Sequence, residues 1–230
     1  MRLTVFNGSP RGKTSNSKVL LEHFLSGFSE TEGNTHEVFY LNRVKSQEEF
    51  VKAFREAERV LMAFPLYTDA MPAMVKTFIE SLEPLRGREA NPPVGFIIHS
   101  GFQEAMHSRY LERYLDKLSR RLGSPYIGTI VKGSSEGIQA MPPMMTRKLF
   151  RSFHELGRVF GETGEFDKEL VRGLAKRERF SWSGRLFLNV MAKIGIVDTF
   201  WNSQLKANGA YERRWARPYA DSVQRGDGAR

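Results

Sequence analysis

The sequence predicts an α/β fold: a doubly wound, five-stranded parallel sheet in the order 2-1-3-4-5, with a helical C-terminal extension. Three observations point to it. Apolar runs and amphipathic helical patterns alternate five times within the first 160 or so residues, which argues for βα units with helices on both faces of one sheet. Runs such as Val60–Phe64 and Val94–Ile98 carry no polar residue, as expected of strands buried on both faces. The two least ordinary loops follow the first and third runs, the pair that flanks the switch point in a sheet of this order.

Each element has its own signature. Leu3–Phe6 is the first strand, and the helix after it presents Val19, Leu20, Phe24 and Phe28 on one face. His36–Leu41 reads as the second strand. Ser46-Gln-Glu-Glu49 has the pattern of a capping box and opens a helix through about Glu58. Val60–Phe64 is the third strand. Pro72 fits the first turn of the next helix, where a missing N–H costs nothing; that helix turns Met74, Val75, Phe78, Ile79 and Leu82 inward and stops before Pro84. Val94–Ile98 is the fourth strand, and Leu111, Leu115, Leu118 and Leu122 recur at i, i+4, i+7 and i+11 along a helix. Tyr126–Val131 and Thr146–Phe160 complete the set. Residues 1–165 form one domain on this reading, and 166–230 a basic extension that packs on that domain or on a dimer partner.

Composition narrows the function. Forty per cent of the 230 residues are hydrophobic, enough for a substantial core. Without a single cysteine, the chain has no disulfide, no thiolate nucleophile and no Cys-ligated cluster. No apolar h-region precedes the first strand and no run approaches bilayer length, so the expectation is a cytoplasmic protein. The formal charge is +9, and from Arg172 onward about twelve Lys and Arg stand against five Asp and Glu. Such a surface attracts phosphorylated cofactors or acidic partners, but no nucleic-acid motif accompanies it and nucleic acid is not expected as a partner.

The first loop, Asn7-Gly-Ser-Pro-Arg-Gly-Lys-Thr-Ser-Asn-Ser17, places hydroxyls, two cations and a helix N-terminus together, which suits a phosphate. It is not a triphosphate loop. Only three residues separate Gly8 from Gly12 where that motif needs four, Pro10 removes one N–H, and the strands end Met62-Ala-Phe-Pro65 and Ile97-Ile-His-Ser100 with no Asp to help hold magnesium. A terminal monophosphate fits. The loop after the third strand, Pro65-Leu-Tyr-Thr-Asp-Ala-Met-Pro72, is oddly apolar for a surface turn and suits a flat aromatic ligand. After the fourth strand, His99-Ser-Gly-Phe-Gln103 offers a third loop.

Together these residues resemble the NAD(P)H-dependent FMN reductases of the flavodoxin-like fold, relatives of iron–sulfur flavoproteins. The likeness lies in Gly8-Ser-Pro-Arg with Asn16-Ser17, and in Pro65-x-Tyr with Met71-Pro-x-x-x-Lys-x-Phe-Ile79, and it runs through the first 160 or so residues. It implies that Ser9, Arg11, Ser15, Asn16 and Ser17 hold the FMN phosphate. Pro65, Leu66, Tyr67, Thr68 and Met71 would border the isoalloxazine, with Ser100, Gly101 and Phe102 on its other edge. The chain departs from the iron–sulfur branch, since Asn42–Phe50 holds no cysteine cluster, and it has Ser15 where the family usually has Gly.

The implied activity is an FMN-dependent oxidoreductase that takes hydride from NAD(P)H and passes electrons to a small acceptor: a quinone, a nitro or azo compound, free flavin or a ferric chelate. The flavin would carry the chemistry, with no catalytic side chain and no metal. The alternative is a flavodoxin-type FMN electron carrier serving a protein partner. His99 is a candidate to act on the flavin, or a satisfied loop residue. Late in the chain, Leu186, Phe187, Val190, Met191 and Ile194 form an apolar stripe at helical spacing. Packing within a homodimer or on the chain's own domain is expected of it ahead of membrane contact. Trp201–Tyr211 with Arg217-Pro-Tyr219 resembles the C-terminal extension of some such reductases, and Asp221–Arg230 reads as a polar end.

Overall fold

The computed structural model describes residues 1–43, 46–175, 178–195 and 198–217. The strands are β1 (Arg2–Asn7), β2 (Thr35–Tyr40), β3 (Arg59–Pro65), β4 (Val94–His99) and β5 (Tyr126–Lys132). They pair in parallel in the order β2-β1-β3-β4-β5, as the sequence predicts. In register, Val5 lies opposite Val38 on one side and Leu61 on the other, and the sheet ends with Pro65 beside His99 and His99 beside Lys132.

Within the apolar runs, side chains still alternate between faces. Leu3, Val5, Leu61, Ala63 and Ile97 join one buried cluster, with Leu20, Phe24 and Phe28 of α1 (Asn16–Phe28) and Phe153, Leu156 and Phe160 of α5 (Pro143–Thr163). Phe6, Val60, Met62, Phe64, Phe96 and Ile98 join the other. Their partners come from α2 (Gln47–Arg55), α3 (Ala73–Ser81) and α4 (Met106–Leu122). A further helix, α6 (Lys168–Ala175), packs on β5 and α5.

Three local expectations change. Ser46 makes no side-chain bond to the start of α2; its backbone (φ −107°, ψ 24°) is not the extended conformation that lays a cap hydroxyl over the first N–H groups, and the helix ends at Arg55. Pro72 sits just ahead of α3, in the cap position. Helix α1 buries Leu21 and Leu25 beside Leu20, Phe24 and Phe28, because it is covered by α5 as well as by the sheet. Val19 is only half-buried and lines a groove of about 750 Å³ with Ile138, Met141, Met144 and Phe150.

The chain divides into two compact units, Met1–Arg179 and Phe180–Arg230. The described part of the second contains α7 (Trp182–Lys193) and α8 (Asp198–Ala207). Ser181 caps α7, its hydroxyl accepting the Gly184 N–H. Within the apolar stripe, Leu186, Val190 and Ile194 are exposed. The Phe187 side chain, Pro218, Tyr219 and the reading of Asp221–Arg230 lie outside the described residues.

Candidate functional site

Parallel strands all point the same way, so the loops after β1, β3, β4 and β5 meet at one edge of the sheet. The first is built from within. Asn7, fully buried, accepts the Ser9 N–H through its side-chain oxygen (3.0 Å) and donates to Ser15 Oγ (3.3 Å). Ser15 Oγ donates to the Gly12 carbonyl (2.6 Å) and accepts the Lys18 N–H (3.1 Å), which makes it the cap of α1. Gly12 sits at φ +53°, and a Cβ there would strike the Asn42 side chain, so this position requires glycine. Gly8 makes room for a helix, since a Cβ there would run into Val75 of α3.

Asn16 and Ser17 turn away from the loop they follow. The Asn16 amide donates to the carbonyls of Ser135 and Glu136 (2.8 and 2.9 Å) and accepts from Gln139 (2.7 Å). Ser17 is wholly buried, with its hydroxyl 2.7 Å from His99 Nε2. The other ring nitrogen, Nδ1, lies 2.9 Å from Ser135 Oγ, which itself donates to the Ser100 carbonyl (2.9 Å). A carbonyl only accepts, so the proton order follows: Ser135 Oγ receives Nδ1–H, and Nε2 accepts the Ser17 hydroxyl. Burial first, and then the positive charges of Lys132 and Arg11, push His99 down to about 3, so the ring is neutral at physiological pH. Arg11 is exposed and reaches Glu136 at 3.4 Å; Ser9 is buried, and Lys13 and Thr14 are exposed.

The second loop is a tight turn. Tyr67 and Ala70 exchange backbone hydrogen bonds (3.0 and 3.1 Å), and Thr68 between them sits at φ +56°. A β-branched residue is strained in that region. Thr68→Gly is therefore expected to stabilise the fold by about 1 kcal/mol, the relieved strain outweighing glycine's greater chain entropy; denaturant titration measures it. Pro65 and Leu66 are buried, Met71 packs on the core beneath, and Tyr67 is 44% exposed.

In the loop after β4, Ser100 is buried, Gly101 is exposed, and Phe102 is 40% exposed with its ring stacked on His107 (4.3 Å between centroids). His107 also faces Asp69 of the second loop at 3.8 Å and Glu104 at 3.7 Å. All thirteen candidate residues thus lie on three loops at one sheet edge or on the strand and helix ends that adjoin them. Tyr67 and Phe102 stay partly exposed, the latter with one ring face on His107, whereas Ser15, Asn16 and Ser17 are committed to internal partners.

Residues 1–84 match the family described as flavodoxin-like fold. The fold is flavodoxin-like. Among solved structures, an azoreductase from Bacillus anthracis str. Sterne shares 14% identity at a TM-score of 0.55, over 70% of this chain and all of that one. An FMN-dependent NADH-azoreductase from B. anthracis str. Ames Ancestor, solved with FMN, gives 14% and 0.53 over 70% and 100% of the two chains. An NAD(P)H:quinone oxidoreductase from Methanothermobacter marburgensis gives 18% and 0.54, over 72% of this chain and 99% of that one. Likeness at these identities establishes the fold. No curated protein matches the chain by sequence.

The flavodoxin-like sheet carries a fourth loop that sequence reasoning passed over. After β5, Ser134 and Ser135 donate backbone N–H groups to the carbonyls of Phe102 and Ser100 (both 2.8 Å), and Gln139 also donates to Thr14 O (3.1 Å). This loop ties the first and third together. Its signal was available in Ile130-Val-Lys-Gly-Ser-Ser135, an apolar strand emptying into Gly and Ser just as β1 does. Asn7, at the end of β1, was missed as well, being the residue that organises the first loop.

Proposed function

We propose that the protein is an FMN-dependent oxidoreductase that takes hydride from NAD(P)H and delivers electrons to a small-molecule acceptor such as a quinone or an azo compound. One observation carries the reading: a cation-bearing loop that leads into a helix N-terminus and two partly exposed aromatic rings, from different loops, share the switch-point edge of a flavodoxin-like sheet. The names of the structural neighbours, an azoreductase, an FMN-dependent NADH-azoreductase and an NAD(P)H:quinone oxidoreductase, support it.

The residues fit the group. Ser15 takes the Lys18 N–H of α1, but the N–H groups of Asn16 and Ser17 before it have no intrahelical acceptor, and the helix dipole adds partial positive charge there. Exposed Arg11 and Lys13 complete an anion site. Tyr67, Met71 and Phe102 supply apolar surface for a flat ring. FMN, when bound, supplies the two-electron chemistry. The chain's part is to bind and orient: the turn at Thr68 fixes the shape of the second loop and the His99 links join the loops after β1, β4 and β5, so little ordering is left to be done on binding. Neutral His99, with both nitrogens engaged inside, acts on the loops and not as an acid toward the flavin.

Titration with FMN followed by anaerobic addition of NADPH tests the reading. Tight binding with bleaching of the flavin band is the expected result. Binding without bleaching by NADPH or NADH would favour an electron carrier, and no binding would remove the proposal. Arg11→Ala is expected to weaken FMN about tenfold, the loss of one charge-assisted contact, while riboflavin, which lacks the phosphate, binds unchanged. Thermal stability stays within about 1 °C, since the exposed pair with Glu136 contributes little.

A further inference from the structure

Helix α7 of the second unit carries an exposed apolar stripe that the proposed chemistry does not use. Along α7, Trp182, Leu186, Val190 and Ile194 recur every four residues, so they form one stripe, and they are 78%, 49%, 45% and 58% exposed. Arg185 and Lys193, both exposed, come from the same helix. All three tryptophans of the chain fall in this unit, and Trp201 and Trp215 are 58% and 81% exposed. In the same segment, Arg214 lies over the Tyr211 ring at 3.9 Å and over Trp215 at 5.8 Å, and Lys206 over Tyr211 at 4.8 Å.

We infer that α7, with the exposed tryptophans and cations of the segment after it, binds the surface of an anionic lipid bilayer. Apolar side chains, tryptophan and cations on one short helix and the segment after it are the composition of an element that lies in the headgroup region. Among the described residues no helix is long and apolar enough to cross a membrane, and α7 has only twelve residues, so it lies on the surface. Charge decides against a second copy of the chain. Arg185, Lys193, Lys206, Arg213, Arg214 and Arg217 outnumber Asp198 and Glu212, on a protein of formal charge +9. A self-complementary contact here would set like charges against each other. An anionic surface attracts them, and their long stems let the charges reach headgroups while the stripe enters the acyl boundary.

The tryptophans report on this unit alone, which gives a direct test on the full-length protein. Vesicles of phosphatidylcholine with phosphatidylglycerol in equal parts are expected to shift tryptophan emission to the blue and to carry the protein into the pellet. Vesicles of phosphatidylcholine alone, or 0.5 M salt, are expected to reduce the pelleted fraction at least tenfold, because screening shortens the reach of the charges. Leu186→Asp with Val190→Asp should abolish both signals, and Arg213→Glu with Arg214→Glu should weaken them at least tenfold. Both residue pairs are exposed, so unit Met1–Arg179 keeps its fold and, under the proposed function, its FMN affinity. Three outcomes overturn the inference: no pelleting with anionic vesicles, emission already blue without lipid at every dilution, or a blue shift that grows with protein concentration alone. The last would give the face to a second copy.

Discussion

Gly157→Leu is expected to destabilise the protein by about 4 kcal/mol and to lower its Tm by about 10 °C. Helices α1 and α5 cross at this residue with their backbones in contact. A Cβ on Gly157 would run into the Phe24 carbonyl, and a Cβ on Gly27 into the carbonyl of His154. Neither carbonyl can yield cheaply, because each belongs to a helix held by its own hydrogen bonds. The helices would have to separate, loosening the cluster of Phe24, Phe28, Phe153 and Phe160 that roofs this face of the sheet. Gly173→Ala is the matched control. It too is a glycine in a helix, α6, but nothing lies within 4 Å of its Cβ position, and replacing it should stabilise the protein by up to about 1 kcal/mol. Calorimetry of both variants separates the crossing from helix propensity.

That contrast shows where the sequence stops being legible. The sheet order could be read because it rests on local features: apolar runs of strand length, helical stripes such as Leu111, Leu115 and Leu122, and one reversal of direction. The reason for a glycine could not, since Gly157 and Gly173 look alike until α1 is placed against one of them. The same holds at the candidate site. Three loops were found from their odd composition, and the structure sets them side by side at the β1–β3 edge. Yet Ser17 counts as a loop hydroxyl in sequence and is a buried donor to His99 in space, 82 residues away. Asn16 looks free to meet a ligand and instead holds the loop after β5. Commitments of this kind are made between elements, and no spacing within one element reports them. Arg11, which stays exposed, is the first-loop residue whose predicted role the geometry leaves simplest.

His99 makes the second large effect, and its sign is fixed. In the unfolded chain the imidazole titrates near its ordinary 6.5; in the fold, burial and the charges of Lys132 and Arg11 hold it down to about 3. Between those values the unfolded state binds a proton that the folded state refuses, so stability must fall as pH is lowered below 6.5. Above 6.5 the full contribution is present. At pH 5 the loss amounts to about 2 kcal/mol relative to pH 8, and it continues toward pH 3. His99→Gln isolates the effect. An amide can accept from Ser17 and donate to Ser135 without titrating, though with poorer reach, at a cost of about 2 kcal/mol at pH 8. Urea denaturation of both proteins at pH 8 and pH 5 should show the wild type losing about 2 kcal/mol more than the variant, while carboxylates and the other histidines cancel in the comparison. Equal losses would mean that water reaches the imidazole in the folded protein. The bonds to Ser17 and Ser135 would then not hold the loops after β1, β4 and β5 together, and the rigid edge on which the proposed flavin site depends would need another support.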